Sequence, residues 1–200
     1  MSKLTLDFYQ REDVLTISKE LLGKVLCTNI NDNITTGIIV ETEAYKGTTD
    51  KASHAYGGRR TKRTNAMYLP GGNAYVYLCY GIHHLFNIVT NIEGIPHAIL
   101  IRAIEPKDGM KIMFQRRGKN KPQYKLTGGP GSLTMALGIT VKDSGVSLLG
   151  NRIWLDDQNI NINNQDISAS ARVGVAYAGK DANNPWRFRI ENNPWESSYY

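Results

Sequence analysis

Glu41, Glu43 and Tyr45 alternate along the stretch Val40-Glu-Thr-Glu-Ala-Tyr45. Apolar and β-branched residues dominate Gly37 to Thr42, so this stretch predicts an extended strand. Side chains on a strand alternate between faces. Ile38, Val40, Thr42 and Ala44 then share a face that suits a core, while Ile39, Glu41, Glu43 and Tyr45 share the other. Acids are rarely buried unless they are paired or used. The second face therefore reads either as solvated, or as a carboxylate in a concave site beside a ring that stacks on a ligand. Carboxylates about 6–7 Å apart along one strand also fit the paired acids of glycoside hydrolysis. The basic balance of the chain argues against a neutral sugar substrate, and Glu41 reads better as a structural acid that meets a basic neighbour.

The chain has 200 residues, with Lys and Arg exceeding Asp and Glu by 24 − 18 = +6. This length fits one domain, or at most two small ones. The basic excess favours a polyanionic partner, nucleic acid ahead of an anionic membrane surface. No apolar run is long enough to span a bilayer, and Met1 to Phe8 lacks the apolar stretch of a signal peptide. Only Cys27 and Cys79 occur, with no Cys-x-x-Cys, which points to a reducing compartment and no disulfide framework. His54, His83, His84 and His97 have no zinc-ligand spacing with those cysteines. No metal site is expected.

The elements that must position the acids follow from periodicity and turn chemistry. Val14, Leu15, Ile17, Leu21 and Leu22 predict a helix over about 12–22, stopped by Gly23. Lys24 to Ile30 and Ile34 to Tyr45 read as a hairpin around Asn31-Asp32-Asn33. Lys46 to Asn73 is a long loop, a length that is usually functional. Its Arg59, Arg60, Lys62 and Arg63 fit either a solvated basic turn or phosphate contact. Tyr75 to Tyr80, His84 to Thr90 and His97 to Ile104 read as an antiparallel meander broken at Gly81. Lys107 to Arg117 and residues 130–138 read as helices, with Met135 in the core. Gly118 to Lys125 is a polar loop. Ser147 to Leu149 and Arg152 to Leu155 read as a hairpin, and Asn159 to Asn164 as exposed. Arg172 to Ala176 and Arg187 to Ile190 read as strands, with Trp186 and Trp195 as packing residues. One α+β domain accounts for the pattern.

Val40-Glu-Thr-Glu-Ala-Tyr45, Ser53-His54, Tyr75-Val-Tyr77, Tyr80-Gly81, Asn87, Ile101-Arg-Ala-Ile-Glu-Pro106, Gly129-Pro130, Ala171-Arg-Val-Gly-Val175 and Asn193-Pro-Trp195 occur in this order. In order and spacing they resemble the alkyladenine, or 3-methyladenine, DNA glycosylase family over about Leu21 to Trp195. The resemblance implies a single compact α+β domain, spanning residues 1–200, around a curved antiparallel sheet with flanking helices and a β-hairpin that projects into DNA. It implies a monofunctional repair enzyme that needs no cofactor or metal. Glu43 falls on the family's general base, and Arg102 on a positive group near the water and the flipped nucleotide. Tyr45, His54 and Tyr77 fall on the pocket for the flipped base, and Asn87 on the residue associated with rejecting guanine. Tyr80 falls on the wedge. Ile82 and His83 stand beside it where other members carry Met and Tyr. Double-stranded DNA with damaged purines is the expected partner, with no membrane role and a monomeric state. The expected location is cytoplasmic, at the bacterial nucleoid, in a prokaryote, and nuclear otherwise.

Elementary chemistry agrees with those assignments. An enzyme that acts on a base must extract it from the stack, at a cost of about a few kcal/mol. Tyr80 before Gly81 puts a ring at a tight turn where it can protrude. Tyr77 shares a face with Tyr75, opposite Val76 and Leu78, so Tyr77 can line a pocket while Val76 and Leu78 pack. Stacking on such rings contributes about 1–3 kcal/mol per base. Cleavage of an N-glycosidic bond passes through a sugar with cation character, which a carboxylate stabilises while it takes a proton from water. That requires an ionised Glu43, and Arg102 is the candidate to keep it so. A non-catalytic nucleic-acid-binding module would share the charge and the tyrosines without needing Glu43. A zinc deaminase lacks its His-x-Glu and Pro-Cys-x-x-Cys pattern here.

Overall fold

The computed structural model describes residues 2–118 and 123–197. Near the N-terminus lie strand β1 (Ser2–Lys3) and helices α1 (Leu6–Tyr9) and α2 (Val14–Glu20). Asp13 caps α2, accepting from the Leu15 N–H and the Thr16 hydroxyl, as a helix start requires. Val14 and Ile17 bury the inner face of α2. Gly23 has φ 85°, and a Cβ there would stand 2.7 Å from the Ile160 carbonyl oxygen, so only glycine turns the chain into the sheet.

Strands β2 (Val25–Ile30) and β3 (Asn33–Tyr45) form the expected hairpin. Asn31 and Asp32 both take positive φ, the geometry of a tight two-residue turn. After β3, the stretch 46–73 is not idle loop: it holds 3-10 turns at Gly47–Thr49, Tyr56–Gly58 and Asn65–Tyr68. The meander follows as β4 (Ala74–Cys79), β5 (His83–Thr90) and β6 (His97–Pro106). Helices α3 (Met110–Arg117) and α4 (Pro130–Leu137) come next, then β7 (Ile153–Asp157), β8 (Ile167–Ser170) and β9 (Arg187–Ile190). Among the described residues, all nine strands join one curved antiparallel sheet in the order β1-β7-β2-β3-β6-β5-β4, with β9 beside β3 and β8 beside β9. The architecture is α+β. Helices α2, α3 and α4 cover the sheet, and their apolar residues join Ile99, Ile101 and Phe86 in the main core.

The centre of the sheet departs from the simple alternation read from the sequence. Ile39 pairs with Ile104 and Glu41 with Ala103, and Thr42 then pairs with Ile101. Val40 is the extra residue on β3 and Arg102 the extra residue on β6. Such bulges re-aim side chains. Ile39 therefore enters the core with Val40 and Ala44, while Ile38 is only half-buried. Glu41, Glu43 and Tyr45 still share the opposite face.

Other departures have local causes. Arg172 to Ala176 is not a strand: Gly174 takes φ 72°, and a 3-10 segment Ala176–Asn183 follows. Ser147 bridges Asn73 rather than Arg152 to Leu155, because β7 finds its partners in β2 and β1. Met135 is 43% exposed rather than in the core. Leu78 is 41% exposed, because the β4–β5 hairpin extends past the core that Val76 joins. Half of the polar loop expected over Gly118 to Lys125, residues 119–122, lies outside the described residues, and Gln123–Lys125 forms a 3-10 turn. Trp195 is buried, Trp186 packs against the core, and Asn159 to Asn164 is largely exposed.

Candidate active site

Glu43 sits at mid-sheet, opposite Leu100 on β6 and Arg187 on β9. Its carboxylate is fully buried, which requires compensation for the lost water. Three donors supply it. Oε1 accepts from the Val173 backbone N–H at 2.8 Å and pairs with the Arg102 Nη1 at 3.1 Å. Oε2 accepts from the Tyr45 hydroxyl at 2.8 Å. The bulge at Arg102 lets its guanidinium reach two acids at once, because its Nε also donates to Glu41 Oε1 at 3.0 Å.

Glu41 is equally buried but fully committed elsewhere. It accepts from Arg187 at 2.7 Å and from the Ser197 backbone N–H at 2.7 Å, besides Arg102 and the Ser197 hydroxyl. It is a structural acid that meets basic neighbours, as the sequence implied. Its ties hold it on Arg102, Arg187 and Ser197, so the paired-carboxylate reading has no second acid to use.

Beside Glu43 opens a cleft of about 570 Å³. Tyr45, His54, Tyr77, Asn87 and Arg102 all line it, so one wall gathers residues from β3, β4, β5, β6 and the 46–73 stretch. Tyr77 meets the His54 ring edge-on at 4.7 Å and stacks on Tyr75 at 5.5 Å. The Tyr75 hydroxyl and His54 Nδ1 lie 2.8 Å apart in a hydrogen bond. Asn87 donates through Nδ2 to the Tyr75 carbonyl at 3.1 Å, which fixes its amide at the cleft wall.

Burial, reinforced by Arg63 and Arg59, pulls His54 from its ordinary 6.5 to about 4. His54 is therefore a neutral ring at physiological pH. Between about pH 6.5 and 4 the unfolded chain binds this proton and the folded chain does not, so stability is full above 6.5 and falls as pH drops through that window. Burial lowers His97 in the same direction. His54→Gln should flatten the fall of the thermal midpoint between pH 6.5 and 4. An unchanged slope would mean that His54 titrates normally.

The mouth of the cleft carries the β4–β5 tip. Tyr80 has φ 50° and Gly81 φ 73°, and the Ile82 N–H closes the turn onto the Cys79 carbonyl at 3.1 Å. This turn holds Tyr80 90% exposed and Ile82 68% exposed. His83 and Arg63 also border the cleft, whereas Arg59, Arg60 and Ile82 do not line it. Arg60 lies over the Tyr68 ring at 4.9 Å and donates to Asn65. Arg59 is exposed nearby.

Sequence reasoning missed four contributors. Tyr75 backs the ring wall. Tyr177 is exposed on the rim, with its hydroxyl donating to the Ala52 carbonyl at 3.0 Å. Buried Arg172 pairs with buried Asp50 at 2.5 and 2.9 Å and places the next residue, Val173, against Glu43. The signal for the last pair lay in Arg172-Val-Gly-Val, whose glycine is the mark of a turn rather than of a strand. Among the described residues, no group of three or more His, Cys, Asp and Glu is placed to hold a metal ion, and no helix is long and apolar enough to cross a membrane.

The site is an ion-paired carboxylate beside a ring-walled cleft, on a chain with a net positive charge. Comparison with known proteins identifies the family. The family model described as "Methylpurine-DNA glycosylase (MPG)" matches residues 7–194. A Chlamydia pneumoniae protein named "Putative 3-methyladenine DNA glycosylase" is 48% identical over 184 residues, covering 92% of this chain and 92% of the relative. A Bacillus cytotoxicus protein of the same name is 45% identical over 198 residues, covering 95% of this chain and 97% of the relative. The chain belongs to the methylpurine-DNA glycosylase family. It is a DNA glycosylase, a hydrolase of N-glycosyl bonds whose substrate is DNA.

Proposed function

We propose that this chain acts as a monomeric, monofunctional catalytic domain that flips alkylated or deaminated purines out of duplex DNA and hydrolyses their N-glycosidic bonds. The 3-methyladenine named in its relatives is the first candidate substrate. The observation that carries this reading is the buried Glu43 carboxylate, held by Arg102 and the Val173 N–H beside the cleft.

In this account Tyr45, Tyr77 and His54 bracket the flipped base, and Asn87 reads its edge. Glu43 stabilises the sugar as it gains cation character and receives the proton of the attacking water. Arg102 keeps the carboxylate aimed and presents a positive edge to the nucleotide. No lysine acts as a nucleophile, and the product is an abasic site. Arg59, Arg60 and Arg63 supply phosphate contacts around the mouth, so affinity falls steeply with salt. Incubating methylated duplex DNA with the protein and measuring released free base tests the reading. Release of 3-methyladenine supports it, and intact DNA overturns it.

Tyr80, with Ile82 and His83 beside it, fills the gap that the flipped base leaves. The inserted ring offsets part of an unstacking cost of about a few kcal/mol. Tyr80→Ala should therefore reduce the flipped population at least about tenfold, since each 1.4 kcal/mol is a factor of ten. A fluorescent base analogue at the lesion reports this, and an unchanged flipping signal would remove Tyr80 from the wedge role.

A further inference from the structure

Asp50 and Arg172 pair with both side chains wholly buried, and neither lines the cleft. Attraction between two buried charges repays their lost hydration only when the geometry and the surrounding hydrogen bonds are excellent. Apolar residues of similar volume often serve stability as well. Such residues could not hold several polar groups at fixed distances, and this pair does. Arg172 Nη1 donates to Asp50 at 2.5 Å and to the Ala44 carbonyl at 2.8 Å. Its Nη2 donates to Asp50 at 2.9 Å and to the Asp181 carbonyl at 3.2 Å. The guanidinium lies over the Tyr45 ring at 4.8 Å and the Trp186 ring at 4.9 Å. Asp50 in turn accepts from the Lys46 and Ala52 backbone N–H groups at 3.1 and 2.9 Å.

We propose that Asp50 and Arg172 are positioning residues that aim the Glu43 carboxylate, a role that rests on reading Glu43 as the base. The path of contacts is short. Arg172 grips the carbonyl of Ala44, the residue between Glu43 and Tyr45, and is itself fixed by Asp50. The next residue, Val173, thereby presents its N–H to Glu43 Oε1 at 2.8 Å. Arg102 alone does not set that aim, because it also pairs with Glu41. The Val173 donor makes one orientation of the Glu43 carboxylate better than the others. Two more ties stiffen the clamp. The Lys51 N–H donates to the Asp181 carboxylate at 2.9 Å, and the Tyr177 hydroxyl to the Ala52 carbonyl at 3.0 Å. The stretch that carries His54 is thus bound to the segment that carries Val173.

Two variants loosen the clamp differently. Asp50→Asn keeps the shape but sets an amide NH₂ against the guanidinium. Arg172→Lys keeps the charge but loses the planar fork that serves two carboxylate oxygens and two carbonyls. Single-turnover excision at saturating protein, well below the melting temperature, should fall by about 10²-fold in each, the effect of an ångström-scale misplacement. Affinity for lesion duplex should stay within about threefold, because the stacking rings and the hairpin tip are retained. The Val173 amide should exchange faster with heavy water in both variants, while the amides of β3 keep their protection.

A merely structural pair would lower the melting temperature and leave the excision rate of the folded protein unchanged. That result, with both variants within about threefold of the wild-type rate, overturns the proposal. So does a binding loss as large as the rate loss, which would place the effect on the pocket, and so does a slow variant with unchanged Val173 exchange. If neither variant folds, the wild-type protein still tests the proposal: its Val173 amide should be as protected as those of β3, and exchange at the rate of an open loop overturns it. Glu43→Gln separates the two ideas. An inactive Glu43→Gln beside fully active Asp50→Asn and Arg172→Lys sinks the positioning role alone, whereas an active Glu43→Gln sinks the reading of Glu43 as the base.

Discussion

Glu43→Gln should abolish excision while leaving recognition of damaged DNA nearly intact. A general base contributes about 10²- to 10⁴-fold, and a preorganised charge facing the developing sugar cation about 10²- to 10³-fold more. The amide loses both, so single-turnover excision should fall by about 10⁴-fold or more. Binding depends on other groups: the rings of Tyr45 and Tyr77, the hairpin tip and the net positive charge. The amide oxygen can still accept from the Val173 N–H that meets Oε1 at 2.8 Å, and Arg102 keeps its contact with Glu41, so the pocket wall has no cause to move. Rapid-quench excision and equilibrium binding on the same lesion duplex read the two quantities. Substantial excision by this variant would refute the role of Glu43.

Glu41→Gln should have its largest effect on stability rather than chemistry. Glu41 is fully buried and is the shared anion of Arg102 and Arg187, whose side chains are themselves almost entirely buried. Removing one partner of such a cluster leaves buried cations poorly compensated, at a cost of about 3–5 kcal/mol. That is a large share of the roughly 5–15 kcal/mol of a typical domain. Denaturant unfolding should show a lower midpoint with an unchanged slope. A loss under about 1 kcal/mol would mean that neighbouring groups neutralise the arginines unaided.

The two acids show how much of the site was legible in the chain. The alternation Glu41, Glu43, Tyr45 placed all three on one strand face, and the structure keeps them there. Alternation could not reveal that Val40 and Arg102 are bulged, because a bulge depends on the register with β6, which is a tertiary fact. Ile38 and Ile39 consequently exchanged faces in the sequence reading. The β4–β5 hairpin was legible from Tyr80-Gly81, but not that Leu78 would lie beyond the core, since that depends on how far the hairpin projects. Arg172 to Ala176 reads as a strand in the sequence. Its backbone is instead held by the Arg172–Asp50 pair and by the Val173 amide on Glu43, contacts that span 122 and 130 residues. Long-range polar contacts of this kind leave no periodic trace in a sequence, and they organise most of what lies around the carboxylate.

A crystal structure of the protein on duplex DNA carrying a cationic pyrrolidine in place of one sugar tests the central claim most directly. The ring nitrogen mimics the charge of the sugar at the moment of bond breakage. The account predicts that nitrogen within hydrogen-bonding reach, about 3 Å, of the Glu43 carboxylate or of a group bonded to it, with Tyr80 occupying the gap in the duplex. A sugar mimic left in the helical stack, or seated elsewhere with Glu43 still closed off behind Arg102, would contradict it.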